Sequence, residues 1–166
     1  SSLQLSNEER VDLMNEIAHK YIRVSSDDSY AYSNKALILA QEINYEAGQS
    51  RAIYLQATTD YLLSKTFDAI EKYEEALRIA EAINSSLNKA AAYNGLGLCY
   101  TRLNNKDKGL INIHKALEEA EKTDDELMLT SMLANIGWFH MQEENYDLAE
   151  SHFFRLAKLG DEQKDE

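Results

Sequence analysis

The sequence predicts an all-α protein, an array of about four antiparallel helix pairs stacked side by side. Three observations carry that prediction. Proline is absent from the 166 residues, where ordinary usage would supply roughly eight. A chain without it can be helical nearly throughout, broken only by short turns. Apolar residues recur at helical spacing, and no stretch sustains the alternation of a strand. Small residues return in register at a step of 40 positions.

The step is visible in separate columns. Ala36-Leu37 recurs as Ala76-Leu77 and Ala116-Leu117, and Ala40 as Ala80 and Ala120. Ala57, Gly97 and Gly137 form another column, and Ala69, Gly109 and Ala149 a third. A helix pair cannot bury its apolar stripe alone, so stacking of successive units supplies the core.

Eight helices follow in order, at roughly 7–24, 29–45, 48–64, 67–84, 88–103, 106–122, 126–143 and 146–159. Ser6 and Glu9 form a capping box for the first, which carries Met14, Ile17, Ala18 and Tyr21. Asp27-Asp28 open the second, where short acidic side chains accept orphan N–H groups. Gly48 follows a helical run and suits a left-handed helix end. The third helix carries Ile53, Ala57 and Tyr61. Thr66 opens the fourth, where Ala69, Tyr73, Ala76, Leu77 and Ala80 share one face. Gly95, Gly97 and Cys99 lie in the fifth, where packing explains them. Asn104-Asn105 start the sixth, a second capping box (Thr123 with Glu126) starts the seventh, and Asn145 starts the eighth. The units fall at about 7–45, 48–84, 88–122 and 126–159 of one domain over 1–166, with 160–166 a charged tail or the start of a linker.

The bulk composition excludes several functions. Net charge is −12, and both halves are equally acidic, so phosphate backbones and anionic lipid are repelled. No nucleic acid and no direct membrane contact are expected. No apolar run approaches the roughly 18 residues that span a bilayer. Cys99 is the single cysteine; on the apolar side of its helix it reads as a packed small hydrophobe. The start Ser1-Ser2-Leu3 has neither methionine nor signal pattern, so the chain reads as a segment of a larger protein. Its compartment stays open, with the cytoplasm favoured and the periplasm reached if a signal peptide lies upstream.

The small and large columns resemble the tetratricopeptide repeat. Ala57, Ala69, Tyr73 and Ala76 match its small–small–aromatic–alanine spacing. Gly97, Gly109, Ile113 and Ala116 match with Ile for the aromatic, and Gly137, Ala149, Phe153 and Leu156 with Leu for the last alanine. The resemblance covers nearly the whole chain and implies a right-handed superhelical α-solenoid. Departures are the period of 40 in place of the usual 34, the missing proline, and Asp60 and His140 where Tyr100 holds the family's tyrosine. Helical repeats of the HEAT type have roughly this length, but the columns fit the tetratricopeptide pattern better. The long period also looks like the sensory and regulatory regions of bacterial signalling proteins, which precede diguanylate cyclase or histidine kinase domains.

No constellation for catalysis emerges, and no catalytic residue, cofactor or metal is expected. The four histidines His19, His114, His140 and His152 lack the spacing of a zinc helix, and His140 with Glu144 reads as a surface pair. Arg102, Lys106 and Lys108 make a local basic spot.

In tetratricopeptide proteins the first helices line the concave surface. Counted from the small residue, the resemblance implies four groove columns. Three before gives Tyr54, Asn94 and Ala134; one after gives Thr58, Leu98 and Trp138. Four after gives Tyr61, Thr101 and Met141; five after gives Leu62, Arg102 and Gln142. None of the twelve is acidic. Leu62 and Leu98 read as core; the expected partner-binding set is Tyr54, Thr58, Tyr61, Asn94, Thr101, Arg102, Trp138, Met141 and Gln142. Aromatics and Arg carry contact energy well. The Lys-Asn-Arg clamp of chaperone-tail receptors is absent. In the last helix Phe153 and Phe154 read as an interface with a further helix, another domain or a second copy. The expected function is a non-catalytic protein-interaction or sensing module in a larger signalling protein. The alternatives are a receptor for a short peptide or small molecule, and an oligomerisation scaffold.

Overall fold

Apolar spacing and turn chemistry produce eight helices over residues 5–162, which the computed structural model describes. They are α1 (Asn7–Tyr21), α2 (Ser26–Glu42), α3 (Glu46–Leu62), α4 (Thr66–Ala82), α5 (Ser86–Arg102), α6 (Lys106–Ala120), α7 (Glu126–Gln142) and α8 (Tyr146–Glu162). No strand occurs among the described residues. The helix α8 runs past Leu159 into the stretch expected as a tail, and residues 163–166 of that tail lie outside the described residues.

Side chains supply most helix starts. The Ser6–Glu9 capping box forms, with the Ser6 N–H donating to Glu9 Oε2 at 2.6 Å. Oxygens of Ser25, Ser85, Asn105 and Asp125 accept the N–H groups of Asp28, Asn88, Lys108 and Met128. Two expectations change. Asp27-Asp28 lie inside the first turn of α2, with Ser25 as the cap. Thr123 forms no capping box: its hydroxyl donates to the Ala120 carbonyl at 2.8 Å and accepts from the Asp125 N–H, so Asp125 caps α7.

Five of the seven helix connections share one device. Asn44, Ser64, Asn84, Asn104 and Glu144 adopt positive φ, each 20 residues from the next except across the α6–α7 junction. After α2, the Tyr45 N–H donates to Ala40 O at 2.8 Å and the Asn44 N–H to Gln41 O at 3.2 Å. The same pair of bonds recurs at the other four turns, satisfying carbonyls that a helix end leaves orphaned. Gly48 does not end a helix; it sits in the first turn of α3, and Asn44 takes the left-handed position. Asn tolerates that conformation through local hydrogen bonding. Gly48 is small for packing, since a Cβ there would lie 2.6 Å from Val11 Cγ1 of α1.

Small residues set how closely the hairpins close. A Cβ on Gly97 would stand 3.2 Å from both Gly109 O and Ile113 N, so α5 and α6 approach backbone to backbone. Large residues fill the space between hairpins. Tyr73 packs with Leu96 and Cys99, and Ile113 and Leu117 pack with Met132, Leu133 and Ile136. Burial pushes the Cys99 thiol up to about 11, so it stays protonated and inert at neutral pH. Asp60, only 2% exposed, pairs with Lys72 Nζ, which also donates to the Tyr30 hydroxyl at 2.9 Å. This network ties α2, α3 and α4 and explains the acid in a column that the tetratricopeptide pattern fills with tyrosine.

Along the array α1 packs on α3 and α3 on α5, whereas α2, α4 and α6 pack chiefly on their sequence neighbours. The array therefore curves with α1, α3, α5 and α7 on its inner side. The α6–α7 connection is the longer one (residues 121–125) and lacks the positive-φ turn. There α5 and α7 are bridged by Asn135 Nδ2 donating to Asn94 Oδ1 at 2.7 Å.

Candidate functional site

The inner helices line an open cavity of about 300 Å³. His19 of α1, Arg51 and Tyr54 of α3 and Ala91 and Asn94 of α5 form one side. Leu127, Met128, Ser131 and Met132 of α7, with its cap Asp125, form the other. Tyr54 and Asn94 are the two expected groove residues found here. Thr58 lies one turn along α3. Its hydroxyl donates to Tyr54 O at 2.9 Å and accepts from the Tyr73 hydroxyl at 3.0 Å, while the Tyr54 ring tilts against that of Tyr73 at 5.7 Å.

The remaining expected residues divide by column. Trp138 is 58% exposed, edge-on to Phe153 at 6.0 Å. Gln142 is exposed at the end of α7. The Arg102 guanidinium stacks 3.4 Å over the Tyr61 ring, and its Nη1 donates to Tyr61 O at 2.5 Å. These two residues clasp α3 to α5. In the column four after the small residue, Thr101 points into its own hairpin instead. Thr101 Oγ1 donates to Gly97 O at 2.8 Å and sits where a Gly109 side chain would go. Met141 lines a second cavity of about 460 Å³ at the end of the array, with Tyr146, Phe153 and Phe154.

Helix geometry gives the reason. At about 100° per residue, a position four after the small residue lies only about 40° from it, facing the partner helix. A position six before lies about 120° away, between the two exposed columns. That column holds Arg51, Ala91 and Ser131, three of the cavity residues absent from the expected columns. The angle was a usable signal. The contributions of His19, Leu127 and Met128 depend on how the hairpins stack and have no such signal.

The expected basic spot disperses. Lys106 pairs with Glu143 at 2.9 Å, Lys108 lies over the Tyr100 ring at 5.1 Å, and Arg102 is in its clasp. Of the two terminal phenylalanines, Phe153 packs against Gly137 and Trp138, whereas Phe154 is 73% exposed.

Within the groove, burial first and the neighbouring Arg51 second hold the His19 imidazole below its ordinary range, against an opposing pull from Glu16. Three histidines meet elsewhere. The His140 and His152 rings lie parallel at 5.6 Å, and His114 is edge-on to His140 at 6.2 Å. His140 is 4% exposed and its Nδ1 has no hydrogen-bond partner. Burial, then the neighbouring imidazoles, lower the affinity of His140 and His152 for protons. No group of three or more metal-ligating side chains among the described residues is arranged to hold an ion. No helix among them is long and apolar enough to cross a membrane.

No protein-family model matches the chain, and no curated protein matches it. Its fold is similar to solved structures, three of which follow. RapI in its apo form gives a TM-score of 0.77 at 22% identity, over 99% of this chain and 60% of that one. Aspartyl phosphate phosphatase F from Bacillus subtilis gives 0.80 at 18%, over 98% and 43%. BtubC from P. vanneervenii gives 0.72 at 19%, over 98% and 67%. The chain thus spans about 60% of the length of RapI. At these identities the likeness concerns the fold, and that fold is a tetratricopeptide-like helical-repeat solenoid.

Proposed function

We propose that this chain is a non-catalytic binding module that holds an extended protein segment along α1, α3, α5 and α7, as part of a larger signalling protein. The open cavity lined by those four helices carries the reading. Its wall combines an aromatic ring, a primary amide, a guanidinium and thioethers, the groups that supply contact energy without a rigid pocket shape. Asn94 uses its Oδ1 on Asn135, so its Nδ2 remains the group able to donate to a peptide carbonyl. The signalling host rests on the resemblance of the 40-residue repeats to sensory regions. That RapI and phosphatase F are longer than this chain is compatible with it.

The test is selection of displayed random peptides on the whole chain, followed by affinity measurement with Tyr54→Ala and Asn94→Ala. Trp138, the single tryptophan, reports binding by its fluorescence. Loss of about tenfold or more in Tyr54→Ala is expected, the scale of a hot-spot aromatic. Peptide binding indifferent to both substitutions, or no peptide binding at all, would remove the groove reading. Self-association is a second reading, favoured by Phe154, Tyr146 and Leu148, which are 73%, 62% and 51% exposed at the end of the array. Light scattering decides it: a dimer that Phe154→Glu dissociates supports it, and a strict monomer eliminates it.

A further inference from the structure

We propose that the joint between the third and fourth hairpins is acid-sensitive: protonation of the His114–His140–His152 cluster loosens the α7–α8 hairpin from α6. The inference goes beyond the groove reading and does not rest on it.

Three helices bring one imidazole each to this joint. The His140 ring of α7 lies parallel to that of His152 of α8 at 5.6 Å, and His114 of α6 is edge-on to it at 6.2 Å. His140 is 4% exposed and its Nδ1 has no hydrogen-bond partner. A neutral imidazole tolerates that, because one of its nitrogens carries no hydrogen, whereas both nitrogens of the protonated ring are donors. A proton on His140 therefore leaves a buried N–H with nothing to receive it, and a buried charge beside two more bases.

The charged groups that act on these rings are all bases. His140 feels His114, and His152 feels His140, His114 and Arg155. The two acids that cross the joint are engaged, Glu143 with Lys106 of α6 and Glu121 with Arg155 of α8. The helix α5 meets α7 through Asn94, which carries no charge. No carboxylate is thus placed to compensate a proton on either ring.

The array is also least tied here. The connection, residues 121–125, is the longest of the seven and lacks the positive-φ turn. The packing of α7 on α6 is less extensive than that of α3 on α2 or α5 on α4. Both ion pairs across the joint are exposed, and such pairs contribute little. The apolar cluster of Leu117, Leu133 and Ile136 keeps the joint closed, so acid raises the population of an open state and does not unfold the array. An open hairpin releases the rings to solvent, where they take up protons more readily. A pH falling through the ordinary value of ~6.5 favours it, by up to about tenfold per pH unit for each proton taken up. Leu127, Met128, Ser131 and Met132 of the groove cavity belong to α7, so opening moves one side of that cavity.

Amide hydrogen exchange of the full chain, corrected for the intrinsic effect of pH, tests this. Between pH 7.5 and 5.5, protection of α7 and α8 is expected to fall about tenfold or more, and that of α2 to α4 to change less than about twofold. Carboxylates, with ordinary values of ~4, stay charged over this range. In His140→Gln/His152→Gln the protection of α7 and α8 should stay level. Should that variant fail to fold, His114→Gln decides the matter from an exposed position: it removes the one charge felt by His140 and should shrink the drop. His19→Gln is the control, because His19 is also held below its ordinary range but stands in the groove; the drop should survive it. Protection that ignores pH, a loss spread evenly over all eight helices, a drop unchanged in the cluster variants, or one abolished by His19→Gln overturns the inference. Peptide affinities measured at pH 7.5 judge the groove reading separately.

Discussion

A methyl group added at Gly95 tests how the second and third hairpins meet. In the interior of α5, Gly→Ala by itself favours the helix by about 1 kcal/mol. Here the new Cβ would lie 2.7 Å from Cδ1 of Tyr73 and closer still to Cε1 and Cζ. That ring has little room to yield: it is 2% exposed, its hydroxyl donates to Thr58 at 3.0 Å, and the Tyr54 ring lies against it at 5.7 Å. Overpacking costs about 1–3 kcal/mol, and a pinned ring places this site near the top of that range. The expected net effect is a loss of about 2 kcal/mol in urea unfolding followed by circular dichroism. In a Tyr73→Leu background the obstacle is gone, so the same substitution should stabilise by about 1 kcal/mol, a coupling of about 3. Gly160→Ala is the control, because a Cβ there meets nothing within 4 Å. If Gly95→Ala stabilises the wild-type background as Gly160→Ala does, the packing of α4 on α5 described above is wrong.

Two further outcomes are expected. The affinity of His140 for protons is lowered by burial and then by His114, and that of His152 by burial and then by His140, so the unfolded chain binds more protons between their folded values and the ordinary value of ~6.5. Stability should be complete above that value and fall as pH drops below it. Urea midpoints at pH 7.5 and 5.5 check the sign, and a His140→Gln/His152→Gln variant with an unchanged pH slope would refute the assignment. Ser64 and Glu144 hold left-handed backbone at φ 62° and 60°, a conformation costing an L residue roughly 1–2 kcal/mol. Ser64→Gly and Glu144→Gly should each raise stability by about 0.5–1 kcal/mol after the entropy cost of glycine; a lowered urea midpoint in either would contradict the turn geometry.

Much of the fold is written locally. Apolar spacing at 3.6 residues per turn and the small columns at Ala57, Gly97 and Gly137 depend only on chain neighbours and on the repeat. They yield eight helices and their pairing. The helix ends are legible in part: Ser6 and Asn105 cap as their residue types suggest. Gly48, read as an end, is instead a packing residue, because a glycine satisfies either need and the sequence does not distinguish them. Asn44 and Asn84 could have been read as left-handed turns, whereas Glu144 carries no such mark.

The groove divides along the same line. The sequence by itself determined a helical-repeat array, which columns are small, and that Tyr54 and Asn94 stand on a non-acidic stripe of the first helices. Tertiary structure decided the rest. Thr101 faces its own hairpin, Arg102 is held on Tyr61, and Arg51 meets His19, Leu127 and Met128 around one cavity. The reason is physical. Periodicity sets the angle of a side chain about its own helix. What that side chain meets depends on how far the hairpins are rotated and spaced against one another, and close packing of many distant residues sets that rotation.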